Sequence, residues 1–144
     1  MKSVTQEDLM GCGIACVAIV LNKSYKSTKR LFDNPEYAST RGYYCPELIS
    51  VLNKKLENYV FAKVSEKNKK LIDQNGTIVF IERNKKYPTG HHLIKTNKGW
   101  MNPWINFPQI KPAKSGFQRK LPGKAQWIVY SKLDKRANHL ILAK

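Results

Sequence analysis

Acidic side chains are what this chain has least of. Ten Asp and Glu stand against 26 Lys and Arg in 144 residues, a formal net charge of +16. The shortage is uneven. Residues 1–82 carry twelve Lys/Arg against nine Asp/Glu, whereas residues 83–144 carry fourteen against Asp134 alone. Such a field draws nucleic acid, anionic lipid or an acidic protein towards the C-terminal half. Lysine outnumbers arginine, which suits a diffuse field better than bidentate recognition. Cysteine is also sparse: three, irregularly spaced, which argues against a disulfide framework and for a reduced compartment. Long apolar runs are missing. The longest, Ile14 to Leu21, is far too short to span a bilayer, and Met1-Lys2-Ser3 leads into no apolar signal segment. The expectation is a cytoplasmic protein, or one exported without a recognisable signal peptide. There is no repeat, low-complexity tract or linker, and 42% of the residues are hydrophobic, so residues 1–144 read as one globular domain.

What is present is concentrated early. Thr5 to Leu21 opens polar, passes a cysteine between two glycines (Gly11-Cys12-Gly13) and enters an apolar block bounded by Asn22-Lys23. The block has the length and composition of a buried helix, although periodicity alone leaves a buried strand open. As a helix, it places Cys12 in the first turn, where unpaired N–H groups and the dipole favour an anion such as a thiolate. Gly11 and Gly13 leave room beside the sulfur. The bland alternative is a structural cysteine in a core helix.

Gln6 stands six residues before Cys12, where its amide could join the Cys12 N–H as an oxyanion donor. Gln6…Gly11-Cys12-Gly13-x-Ala15 resembles the nucleophile segment of papain-like cysteine peptidases, most closely the bacterial branch that includes the bacteriocin-leader-processing peptidases. That resemblance implies Gln6 as oxyanion donor and Cys12 as nucleophile, followed in chain order by a histidine and an Asp or Asn. It also implies helices packed on a mostly antiparallel sheet, with no cofactor.

The rest of the chain has that order. Ser24 to Phe32 reads as a short amphipathic helix ended at Asp33-Asn34-Pro35, and Cys45 to Leu56 as a second, with Pro46 and Glu47 in its first turn. Cys45 has no evident partner and reads as structural. Tyr59–Val64 and Thr77–Glu82 read as strands, with a polar helix or loop at Ser65–Ile72 and a basic loop at Arg83–Pro88. Gly90–Thr96 and Trp100–Trp104 form a hairpin around Asn97-Lys98-Gly99. Phe107 to Gly123 should be an irregular excursion, and Trp127–Tyr130 and His139–Leu142 closing strands. Helices first and strands later make the class α+β.

Gly90-His91…Asn102-Pro103 on that hairpin resembles the family's His…Asp/Asn-Pro element, in which the third residue orients the imidazole. The His–Asn separation is short for the family, and Asn102 stands where the bacterial branch usually has Asp. Which histidine faces Asn102 depends on the turn. A three-residue turn with Gly99 left-handed puts His92 on that face, and a two-residue Asn97-Lys98 turn puts His91 there. The family places its histidine directly after a glycine, which selects His91 as the base. Cys12, Cys16, His91 and His92 could be counted as zinc ligands, but Cys16 lies deep in the apolar block and the histidines diverge, so no metal is expected.

The leading expectation is a cysteine-nucleophile hydrolase, most simply a peptidase acting on a peptide or protein, with Cys12, His91, Asn102 and Gln6 at its site. Deamidation or acyl transfer would use the same groups. The alternative class is a basic nucleic-acid-binding protein or ribonuclease, such as a toxin effector, in which Cys12 is a relic. A catalytically dead papain-like binding domain is a third.

Overall fold

The computed structural model describes residues 1–132. Three helices, α1 (Cys12–Leu21), α2 (Tyr25–Lys29) and α3 (Cys45–Lys55), precede six strands: β1 (Tyr59–Lys63), β2 (Ile78–Ile81), β3 (His91–Thr96), β4 (Gly99–Asn102), β5 (Gly116–Gln118) and β6 (Ala125–Ser131). The strands join in the order β1-β6-β2-β3-β4-β5, every pair antiparallel. The class is α+β. The strand expected at His139–Leu142 lies outside the described residues. Among the described residues, no helix is long and apolar enough to cross a membrane.

α1 is apolar on every side because every side is covered: Gly13 to Val20 are all buried. It packs against β3, α2 and α3, and its Ile14 and Val17 share a core with Leu48, Leu52, Ile78, Ile94 and Met101. Fully burying each such side chain contributes roughly 1.5–3 kcal/mol. Strand alternation sends Val79, Ile81, Leu93 and Trp100 to the opposite face, where they pack with Tyr87 and Ile128. With both faces covered, β2 can be the continuous apolar run seen in its sequence. Asn22 ends α1 in the left-handed conformation, its N–H bonded to the carbonyls of Ala18 and Ile19. At the start of α3, the Glu47 carboxylate accepts the Tyr44 N–H at 2.8 Å and holds Arg41 at 2.7 Å.

The polar helix or loop expected at Ser65–Ile72 is a short 3₁₀ helix, Lys69–Asp73. Two stretches differ from expectation. The helix after Ser24 runs only to Lys29 and closes in turns before Phe32. The irregular excursion contains a strand, β5, which extends the sheet beyond β4.

The β3–β4 turn takes the two-residue form. Thr96 pairs with Gly99 and Ile94 with Met101, so Asn97 and Lys98 alone make the turn. Thr96 staples it, accepting the Lys98 N–H at 3.1 Å and donating to the Gly99 carbonyl at 2.8 Å. Gly99 has φ +99°, and a Cβ there would lie 2.7 Å from the Gln118 carbonyl oxygen. Replacing Gly99 by Ala therefore combines a strained φ with a backbone clash, and should cost about 1–3 kcal/mol. Urea unfolding of the G99A variant measures this, and an unchanged midpoint would contradict so close an approach of β4 and β5.

Candidate active site

The loop before α1 is tied down on both sides. The Gln6 N–H donates to the Pro103 carbonyl, one residue past Asn102, and the Met10 N–H to the Ala38 carbonyl. Asp8 accepts the Tyr25 hydroxyl at 2.7 Å and the Lys29 ammonium at 3.0 Å. Burial works to raise the Asp8 pKa, but these bonds outweigh it and hold the carboxyl below its usual value. Gly11 passes so close to Tyr25 that a Cβ would collide with the hydroxyl. Cys12 is thereby delivered as the first residue of α1.

The first helical bond, Ala15 N–H to the Gly11 carbonyl, leaves the N–H groups of Cys12, Gly13 and Ile14 outside the helix ladder. The sulfur lies 3.4 Å from Nδ1 of His92 and 3.4 Å from the His92 backbone nitrogen, which donates to it. Burial pushes the thiol up to about 11; the N–H groups of His92, Gly13 and Cys12 pull it back only in part. The thiolate favoured by the helix start is thus outweighed by desolvation, and the resting group at neutral pH is S–H.

His91 points to the opposite face of β3. Its Nε2 lies 2.8 Å from Oδ1 of Asn102, which is fully buried. The Asn102 amide is held in one orientation. Its Nδ2 donates to the Tyr87 hydroxyl at 2.9 Å and to Oε1 of Gln118 at 2.8 Å, while Oδ1 also accepts the Trp104 N–H at 3.0 Å. An oxygen so placed requires a donor from His91, so Nε2 carries the proton and Nδ1 the lone pair. The Tyr87 ring lies flat on His91, with centroids 4.1 Å apart and planes 5° apart, and its hydroxyl donates to the Trp104 carbonyl at 3.0 Å. Gly90, at φ +79°, lets β3 begin against β2, where a side chain would strike Phe80. Burial pushes the His91 pKa down to about 4, against the pull of Asn102, and Lys86 adds to the lowering. For His92 burial, followed by the charge of His91, pushes it to about 3.

The expected residues therefore gather, with a division of contacts. His91 has the orienting partner Asn102, and His92 has the sulfur. Gln6 also lies at the site, but its Nε2 donates to the carbonyls of Asp8 (3.0 Å) and Leu9 (3.1 Å), so both amide hydrogens are committed. Its Oε1 is buried without a hydrogen-bond partner among the described residues. The donors free at the sulfur are the helix-start N–H groups rather than the Gln6 amide. Cys16 is fully buried inside the core, one turn along α1.

A cavity of about 100 Å³ is lined by Gln6, Cys12, Tyr87, His91, His92 and Trp104, among others. Beside it, sharing Phe80 and His92, runs a groove of about 950 Å³ walled by Tyr44, Phe61, Arg83 and Trp127. Tyr87, Gln118 and the His92–sulfur contact went unread in the sequence. A lone aromatic in a basic loop and a glutamine in a Pro/Lys-rich stretch carry no periodic signal. No family model, curated protein or solved structure matches the chain.

Both imidazoles are harder to protonate in the fold than in the unfolded chain, where histidine titrates near 6.5. Their contribution to stability is fully present above about 6.5 and is lost as pH falls towards 4. Urea midpoints followed from pH 8 to pH 4 should decline across that window, and less steeply in His91→Gln. An equally steep decline in that variant would locate the titrating groups elsewhere. Tyr87→Phe leaves an Asn102 donor without its acceptor and the Trp104 carbonyl with the Phe107 N–H alone, and should cost about 1–3 kcal/mol by the same measurement.

Proposed function

We propose that this protein is a thiol hydrolase of papain-like arrangement, one domain over residues 1–144, that cleaves peptide bonds. One observation carries the proposal. A helix-start sulfur and a buried imidazole whose tautomer is set by Asn102 open onto the same cavity. Cys12 attacks the substrate carbonyl carbon while its S–H proton passes to the free Nδ1 of His91. The oxyanion forms at the N–H groups of Cys12 and Gly13. Gln6 would join them only by turning one amide hydrogen away from the Asp8 or Leu9 carbonyl. The tetrahedral intermediate collapses, the C–N bond breaks, and His91 returns the proton to the departing amine. Water then attacks the thioester, giving its proton to His91, which passes it to the sulfur as the acid leaves.

In the resting structure the sulfur's ring contact is to His92, so the chemical step requires Cys12 to turn towards His91. Catalytic contacts commonly tighten only when substrate is bound. Deamidation and acyl transfer would proceed through the same acyl-enzyme. The groove of about 950 Å³ beside the cavity favours a chain segment over a small amide, and therefore a peptidase.

The test is a screen of peptide mixtures for cleavage products, with a parallel search for a covalent adduct. An alkylating agent should add once, on Cys12, ahead of the more deeply buried Cys16 and Cys45, and should abolish cleavage. Cys12→Ala should be inactive, and His91→Ala should lose about 10²-fold or more in kcat. A phosphodiesterase activity that survives alkylation would replace this reading with the ribonuclease one.

A further inference from the structure

His92 has no counterpart in a three-residue site, yet it makes the closest ring contact to the sulfur. Two atoms of the one residue, the backbone nitrogen and Nδ1, each stand 3.4 Å from Cys12 Sγ. His92 is only 3% exposed, and its ring centroid lies 4.9 Å from that of Phe80 on the neighbouring strand. Gly13 lies directly against the ring: a Cβ there would be in van der Waals contact with Nδ1 at 3.5 Å and Cε1 at 3.7 Å, and would press on Leu48 at 2.9 Å.

Among the described residues, no charged group hydrogen-bonds the sulfur. Around it stand Cys16 one turn along α1, Tyr25 on α2, Tyr87 from the loop before β3, and the two histidines. Arg41 also lines the cavity, but its guanidinium is paired with Glu47 at 2.7 Å and lies over the Tyr37 ring. The groups that reach the sulfur are neutral donors.

We propose that His92 is a positioning residue for the nucleophile: in its neutral form it donates Nδ1–H to the Cys12 sulfur and stabilises the thiolate as it forms, while proton transfer belongs to His91. This rests on Cys12 being the nucleophile of the proposed site. The division follows from strand alternation, which sends adjacent histidines to opposite faces, one to Asn102 and one to α1. With burial and His91 holding its pKa near 3, His92 stays uncharged and keeps an N–H available across the neutral range. A hydrogen bond to a charged group outweighs one to a neutral group, so this donor acts mainly on the anion.

The experiment measures the rate of Cys12 alkylation by iodoacetamide from pH 6 to 10 on the full chain, read by mass spectrometry. It needs no substrate, so it stands or falls apart from peptide cleavage. His92→Leu removes the donor and should slow alkylation about tenfold at any pH below the thiol's pKa, the scale of one such hydrogen bond. His92→Asn carries an N–H as many bonds from Cα as Nδ1 and should recover most of that loss. His92→Gln, one bond longer, should not. Equal rates in the Leu and parent proteins would overturn the proposal, as would equal losses in Asn and Leu. If His92→Leu does not fold, the Asn–Gln comparison decides by the same criterion. Where a cleaved peptide is in hand, His92→Asn should retain turnover. Loss of turnover with alkylation intact would make His92 the base instead.

Discussion

A sulfur held 3.4 Å from an imidazole nitrogen, eighty residues away in the chain, depends on the packing of α1 against β3. Neither element has an alternative place. α1 is buried on all sides, so it must sit inside the domain, and β3 lies near the middle of the sheet with both faces covered. The Asp8–Tyr25–Lys29 cluster fixes the approach to α1, and the two-residue turn at Asn97-Lys98 fixes how β4 meets β3. A slip of one residue in that hairpin would exchange the faces of His91 and His92 relative to Asn102.

That dependence explains what could be read in advance. α1 announced itself by length and apolarity, and β2 by its continuous run, because burial on every side leaves a compositional mark. The turn did not announce its length. Asn97 favours the first turn position and Gly99 the third, so local chemistry leans towards a three-residue turn, whereas the pairing of Thr96 with Gly99 makes the turn two residues long. Alternation correctly separates His91 from His92, but it cannot say which face the helix covers. The contact between His92 and the sulfur was hidden for that reason.

The supports of Asn102 were hidden for a different one. Tyr87 sits in a basic loop, and Gln118 in a three-residue edge strand within a Pro- and Lys-rich segment. Short edge strands are held by their neighbour rather than by their own propensity, so composition reads them as loop. Their effect is nonetheless specific. Tyr87 and Gln118 accept both hydrogens of the Asn102 amide, leaving its oxygen as the face presented to His91. An aspartate would need no such help, since both of its oxygens accept.

The choice of asparagine reaches further, into the charge state of the site. An aspartate beside a buried histidine stabilises the imidazolium by charge, which raises the histidine pKa and favours a preformed thiolate–imidazolium pair. Asn102 offers a hydrogen bond and no charge. Burial therefore wins at both ends: His91 falls to about 4 and the Cys12 thiol rises to about 11. Cys12 and both histidines rest neutral at physiological pH. In the hydrolase we propose, proton transfer would therefore accompany attack rather than precede it, and fixed neutral dipoles would do the work that ions do elsewhere. The helix-start N–H groups, the proposed His92 donor and the tautomer set by Asn102 would be aligned before the charge exists. Their alignment would cost no reorganisation when it forms. The burial that disfavours a thiolate at rest is also what makes each of these dipoles strong when the thiolate appears.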